Sequence, residues 1–580
     1  MEQNSNTFKM PIEYTNFIKT DNCLLDDLEL DCSNNIYSIL MQPTNNLGQK
    51  MISNWSSKYT TNSKHLKSTQ KFIKSIHSSN IDTIQNTIQN INSYHDKWNN
   101  VRLTDNFNTT FQFIDWKHIE FLNSNPFFLQ LMSYFNFASP LFHILMPVFI
   151  LILPFFILKI VHNTTITFDN YKKYLFSSLQ SHAFGQFFNA FCDNNSCNTS
   201  FNTKLYAVFS VLLYLFSFYQ NILSCIKFYN NASFIHSFMN DTKIYVDDVK
   251  ELYTYLTNIK NSINSRFHSS YISFYQDLEQ NYNYTLEIAS SLSHIKSDKF
   301  TYLDVLEFGI SMHKFHTLFN NNTYIDNFNY WFECSAFIDN IFGIVNRLDK
   351  KQISFATFES KKNKKQNPII MKNLYYINHI DNNTNDIVTN NINLSTNTII
   401  TGPNASGKTT LLKSVCINIL LSQQLGIGCF SEFKCIPYNR IYSYINIPDT
   451  SGRDSLFQAE ARKCLDIIHY KKNNPNHRCF CIYDELFSGT NPHEAQTSAI
   501  SYLKYLQNNN IDFMLTTHFQ KLSNYSNKNC VQKHMEVINK NNNFTYSYLV
   551  KNGSSKVFGG FKVLEDIGFP KEILDNLKEY

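Results

Sequence analysis

The sequence predicts an α/β P-loop domain at its C-terminal end, preceded by an all-α region that carries a two-helix transmembrane hairpin. Three observations lead there. A short buried-strand pattern, Thr398-Ile-Ile-Thr401, runs through Gly402-Pro-Asn-Ala-Ser-Gly407-Lys408-Thr409 into an apolar helical pattern. Two later apolar runs with strand character stop at Asp484-Glu485 and at His518. Far upstream, residues 141–158 and 205–226 form long apolar stretches without a formal charge.

The segments follow in order. Residues 1–32 are polar and acidic and show no signal-peptide pattern, so a polar, peripheral N-terminal segment is expected. From 33 to 125 the chain reads as a helical, lever-like region. Ile36, Ile39, Leu40, Leu47, Met51, Ile52 and Trp55, then Ile84, Ile88, Ile91 and Trp98, recur at roughly helical intervals around a turn at Gln42-Pro43-Thr44. Residues 126–230 hold the hairpin. Its first stretch, LFHILMPVFILILPFFIL, is closed by Lys159; its second is bracketed by Lys204 and Lys227 and broken only by Gln220 and Asn221. At 1.5 Å per residue, roughly 18 residues reach about 27 Å, close to a bilayer core. Pro147 and Pro154 are tolerated better in membrane helices than in soluble ones. Spans at 139–161 and 205–227 follow, with Gln220 and Asn221 expected to find His143 or Ser139 across the hairpin. The loop between them carries sequons at Asn194 and Asn198 and the close pair Cys192 and Cys197. It is expected on the side opposite the cytosol. Two buried core helices of a soluble intracellular protein are the competing reading. Residues 231–360 return to helical stripes, such as Val246, Val249, Leu252, Leu256 and Ile259. Lys361-Lys-Asn-Lys-Lys365 reads as a solvated linker into a domain at 366–580.

Composition narrows the class. A net charge of +5 announces no global field for a polyanion, and 13 cysteines scattered through apolar segments suit a reducing compartment. No second Cys or His pair has ligand spacing with Cys192 and Cys197, which argues against zinc.

The strand–loop–helix around 402–410 is the context a phosphate-binding loop needs. Gly402 and Gly407 let the backbone through Pro403, Asn404, Ala405 and Ser406 wrap around a polyphosphate, and the helix opening at Lys408, Thr409 and Thr410 turns its positive end toward it. Lys408 would neutralise the β/γ oxygens of ATP, while the Thr409 hydroxyl and the Asp484 carboxylate would hold Mg²⁺. Glu485 would polarise the attacking water and His518 would contact the γ-phosphate, giving Mg²⁺-dependent ATP hydrolysis.

The order and spacing of these pieces resemble the MutS family, whose ATPase domain is of the ABC type. GPNASGKTT stands where that family has its Gly-Pro-Asn P-loop, DELFSGTNPHEA is similar to its Asp-Glu-x-x-x-Gly-Thr stretch, and TTHF to its Thr-His-Phe switch. Ser451-Gly-Arg-Asp-Ser455-Leu-Phe457-Gln-Ala-Glu460 resembles the family's Ser-x-Phe-x-x-Glu segment. That resemblance implies that Ser455 reaches the nucleotide of a partner subunit in trans, hence a homodimer or a pairing with a related MutS-like chain. Residues 43–72 look like the start of the family's lever domain, and Asp339-Asn-Ile-Phe-Gly-Ile-Val345 like its exit helix. The chain departs from the family at three places. Asn367-Pro368 stands for the usual His-Pro, residues 1–32 are too short for a mismatch-reading domain, and the apolar hairpin lies where the family has clamp helices. The resemblance, its departures and the apolar hairpin together give the expectation of a membrane-anchored, MutS-like ATPase with its ATPase domain in the cytosol and a DNA-related role without mismatch specificity. The alternative is a soluble DNA-binding repair or recombination clamp. An ABC transporter is disfavoured, because no Leu-Ser-Gly-Gly-Gln-type segment precedes Asp484.

Overall fold

The computed structural model describes residues 8–32, 35–77, 81–160, 168–181, 185, 187, 201–262, 269–293, 295, 299–301, 303–359, 369–382, 387–445, 456–523, 525, 529–540, 543–555 and 567–570.

Local sequence sets where the elements begin. Helix α1 (Ile36–Met41) follows Asn35, whose side chain accepts the N–H groups of Tyr37 and Ser38, and α2 (Asn46–Ser56) follows Asn45, which accepts from Gly48. Helix α3 (Pro126–Ile160) opens on a proline, which lacks the N–H that a first helical position cannot use. Helix α4 (Phe201–Ser262) runs 62 residues with neither Gly nor Pro to stop it. Helices α5 (Asn322–Asp349), α6 (Lys408–Gln424), α7 (Leu456–Asn473) and α8 (Pro492–Asn508) complete the long ones used below. The strands are β1 (Asn397–Thr401), β2 (Arg440–Tyr444), β3 (Cys479–Asp484), β4 (Ile511–Thr516), β5 (Cys530–Lys540) and β6 (Asn543–Asn552).

The chain packs as two compact units. The first comprises Met1–Asn92, Asp248–Tyr282 and Asn329–Tyr580; the second comprises Ser93–Asp247 and Asn283–Phe328.

In the first unit the six strands form one sheet in the order β2-β3-β4-β1-β5-β6, parallel except for the last pair. All five residues of β1 are buried, as expected of a parallel sheet covered on both faces. Of α6, only Thr409, Thr410 and Lys413 escape burial, so its polar residues must be satisfied inside. Gln424 donates to Trp55 O (2.6 Å) and Lys58 O (3.0 Å) and accepts from the Tyr37 hydroxyl (2.9 Å). Gln423 donates to Tyr438 O (2.9 Å) and accepts the Tyr438 N–H (2.8 Å). The N-terminal residues join this core. Phe17–Lys19 pairs with Lys58–Thr60, and Leu24, Leu28 and Leu30 are buried. Helix α5 lies backbone-close against α1, where a Cβ at Gly343 would collide with the Met41 carbonyl oxygen. Asp339 of α5 accepts the Thr44 N–H (3.0 Å) and hydroxyl (2.6 Å). At the β6 edge, Asn390 accepts the Val550 N–H (2.7 Å) and donates to Tyr548 O (3.0 Å).

In the second unit Gln130 of α3 accepts the Gly309 N–H (2.6 Å) and donates to Val305 O (2.8 Å), while Trp98 stacks on Phe319 and Phe328 with centroids 4.3 and 4.1 Å apart. Helices α3 and α4 touch along their apolar stretches. His143 Nε2 lies 3.0 Å from Ser217 Oγ, and the Tyr214 hydroxyl donates to His143 O (3.4 Å). Leu141, Phe142, Met146, Phe149, Leu205, Phe209, Leu212 and Phe216 are each 48–59% exposed.

The expected hairpin is altered on three points. The two apolar stretches sit within longer helices, α3 beginning already at Pro126 and α4 running from Phe201 to Ser262. Among the described residues only Lys204–Ser262 is long and apolar enough to cross a membrane, so a hairpin of two spans is not supported. Gln220 and Asn221 do not supply the partner of His143. That partner is Ser217, while Asn221 donates to Ser217 O of its own helix (3.3 Å) and Ser139 to Asn136 O (3.1 Å). The sequons at Asn194 and Asn198, the pair Cys192 and Cys197, and the linker at 361–365 lie outside the described residues.

Candidate functional site

The site grows from the C-terminal ends of β1, β3 and β4, three neighbouring parallel strands. After β1 the chain turns through Gly402 to Gly407 before α6 begins. Ala405 (φ +62°) and Gly407 (φ +89°) take left-handed conformations, and a Cβ at Gly407 would press on the Tyr548 ring at 3.1 Å. Ser406 Oγ donates to Pro403 O (2.7 Å), closing the loop on itself.

Lys408 points back into this loop. Its ammonium donates to Gly402 O and Pro403 O (3.0 Å each) and lies 3.2 Å from His518 Nε2. The residue is buried, and burial pulls its pKa down against the pull of Glu485 and Asp484. A sunken cation bonded to two backbone carbonyls fits a polyphosphate, whose oxygens would pair with it directly. The Thr409 hydroxyl donates to Asp484 Oδ2 (2.6 Å), and the Thr516 hydroxyl to the other Asp484 oxygen. An alcohol and a carboxylate at this separation are the hard oxygen donors that suit Mg²⁺.

Glu485, one residue past β3, has φ +56°, and its N–H donates to Thr516 O (3.1 Å). This unusual backbone aims its carboxylate at His518, with Oε1 2.9 Å from Nε2. The hydrogen bond with His518 holds the Glu485 carboxyl below its usual range. The structure therefore brings together the 402–410 loop, Asp484, Glu485 and His518. Ser455 lies outside the described residues.

A cavity of about 690 Å³ opens beside the loop, with Asn404, Lys408, Thr409, Thr410 and Glu485 on one side. The same cavity is lined by Tyr376, His379, Asn382, Asn390 and Tyr548, none of which the motifs pointed to. Tyr376 and His379 meet edge to face, 5.9 Å between centroids. The Tyr375-Tyr376 doublet just after the strand Ile370–Leu374 was the available signal, since aromatics there have no strand face to occupy. One described member of the expected trans segment has a clear place. Glu460 of α7 is buried, and that burial raises its carboxyl above the usual range.

Comparison with known proteins adds a family. Residues 398–580 match MutS domain V. The chain is 28% identical over 186 residues to a DNA mismatch repair protein MutS of Fusobacterium nucleatum subsp. nucleatum, covering 30% of this chain and 20% of that protein. It is 27% identical over 201 residues to the DNA mismatch repair protein MutS of Persephonella marina, 33% and 23% of the two chains. It is 31% identical over 129 residues to an Endonuclease MutS2 of Streptococcus agalactiae serotype Ia, 22% and 16% of the two. The matched region spans about a fifth of the length of these curated relatives.

Proposed function

We propose, from the match of residues 398–580 to MutS domain V, that this chain is a MutS-like, Mg²⁺-dependent ATPase acting as a dimer in a DNA-related role. The observation that carries this is the buried Lys408 ammonium, bonded to two carbonyls of the loop, beside the Thr409–Asp484 oxygen pair. Bound Mg·ATP would supply an electrophilic γ-phosphorus to water. Lys408 exchanges its carbonyl partners for phosphate oxygens, and the loop N–H groups with the start of α6 take the rest of that charge. Thr409 and Asp484 hold the metal, Glu485 orients and polarises the water, and His518 fixes the Glu485 carboxylate. Ser455 of a second subunit completes the site, so the working unit is a homodimer or a pair with a related chain. A DNA-related role without mismatch discrimination accompanies this reading.

The test is equilibrium ATP binding with Mg²⁺ and phosphate release on the full chain. Wild type should bind and slowly hydrolyse ATP, and Lys408→Ala should bind none. Wild-type protein that binds no ATP at millimolar concentration refutes the proposal.

A membrane association accompanies this reading, and the observation favouring it is the broad exposed apolar surface of α3 and α4. Monomeric soluble proteins seldom leave such a surface open to water. These apolar surfaces rest against lipid, and the ATPase domain faces the cytosol, where ATP is. Extraction of cell membranes with alkaline carbonate should leave the protein in the pellet. Release into the supernatant favours the soluble clamp, with these helices covered by protein.

A further inference from the structure

We infer that Arg347 and Asp381 form a positioning clamp that sets the base-facing wall of the nucleotide cavity, separately from the phosphate loop. The inference rests on the ATP reading of the site. Arg347 sits near the end of α5 and is fully buried. Its guanidinium grips both Asp381 oxygens, with Nη2 3.0 Å from Oδ2, in the two-pronged geometry that only arginine offers. The same group donates to Ile39 O of α1 (2.8 Å) and to Gln352 Oε1 (2.9 Å). Gln352 in turn donates to Ile380 O (2.6 Å), and its own carbonyl accepts the Tyr375 hydroxyl.

One short segment is thus tied down at Tyr375, Ile380 and Asp381, all by the end of α5 and the residues just after it. Its only regular structure is the single 3₁₀ turn Ile377–His379, too short to hold a shape by itself. Yet this segment gives Tyr376, His379 and Asn382 to the cavity. The 402–410 loop faces the same cavity but is anchored by β1 and α6, and α6 reaches the clamped segment through a long bond from Asn418 to Tyr375 O (3.4 Å). Two flat rings and an amide suit an aromatic base; the loop and Lys408 suit phosphates. The clamp should therefore govern affinity for the base end of the nucleotide and leave the phosphate end alone. The Asp381 carboxyl, held below its usual range by Arg347, stays charged for this pairing at neutral pH.

Asp381→Asn in the full chain is the test, because the Asp381 side chain is 59% exposed and the substitution leaves no large void. Binding of ATP and of inorganic triphosphate, each with Mg²⁺, is measured beside steady-state hydrolysis. ATP affinity should fall about tenfold, equal to about 1.4 kcal/mol, with KM rising in step. Triphosphate affinity and kcat at saturating ATP should stay within about twofold of wild type. Arg347→Lys, which keeps the charge and loses the fork, should show the same split. Unchanged ATP affinity, equal weakening of ATP and triphosphate, or a fall in kcat at constant KM would each overturn the clamp. Wild-type protein that binds neither ligand would overturn the ATP reading and the clamp together.

Discussion

Gln424→Leu should cost the first unit about 4 kcal/mol of stability while leaving every side chain of the nucleotide cavity in place. Gln424 is fully buried at the far end of α6, sixteen residues after Lys408 in a helix whose bounds are Lys408–Gln424. Leucine nearly matches glutamine in volume, so no large cavity opens. What disappears is a donor to Trp55 O at 2.6 Å, a donor to Lys58 O at 3.0 Å and the acceptor of the Tyr37 hydroxyl at 2.9 Å. Trp55 is in the last turn of α2, where a carbonyl has no partner within its own helix. Each buried polar group stripped of its partner costs about 1–3 kcal/mol, and three such groups with some relaxation give about 4 kcal/mol. Urea denaturation followed by circular dichroism measures the loss. Lys372→Gln, which breaks an exposed ion pair with Glu432 in the same unit, should leave stability nearly unchanged and serves as the control. A Gln424→Leu protein no less stable than that control would refute the view that these amides join the P-loop helix to the N-terminal segments.

Further outcomes follow from the site. Glu485→Gln should keep ATP binding and lose turnover by about a hundredfold or more, as removal of a general base does; phosphate release equal to wild type would count against that role. The hydrogen bond with His518 lowers the Glu485 carboxyl, so His518→Gln removes the lowering, and the acid limb of the turnover–pH profile should move to higher pH. A limb that stays put or moves lower contradicts the assignment. Inactive Lys408→Ala and inactive Ser455→Ala proteins should regain ATPase activity when mixed, because one composite site in a mixed dimer escapes both defects; no recovery with mixed dimers demonstrably formed refutes sharing in trans. Gly343→Val should yield insoluble or unfolded protein, since even a Cβ there strikes the Met41 carbonyl; a soluble variant of wild-type stability would be inconsistent with that contact.

The catalytic half of the site was legible because it is local. Lys408 and Thr409 sit within one strand–loop–helix unit, and Asp484, Glu485 and His518 each end an apolar strand, so pattern and chemistry coincide in the sequence. The rest of the cavity lining was not legible. Tyr376 with His379, Asn390, and Tyr548 come from three separate segments that only the fold assembles, and no motif spacing joins them. Arg347 was hidden for the same reason: a lone arginine at a helix end looks like any solvated charge until its partners, 34 and 308 residues away, are in view. The apolar stretches were recognised, but their helices overran the expected limits. A hydropathy window senses where side chains change character, whereas α4 continues because nothing between Phe201 and Ser262 breaks the backbone pattern.

The single amide of Asn390, set against β6, carries a consequence for how copies of this chain can meet. An open sheet edge invites a foreign strand to zip on, the usual seed of runaway polymerisation. Here the N–H of Val550 and the carbonyl of Tyr548 are already engaged by one side chain that imitates a strand for the length of a single residue and then stops. A newcomer would have to evict that impostor before gaining its first rung. Self-recognition through this margin is discouraged, and encounters between subunits are left to surfaces that saturate after one partner.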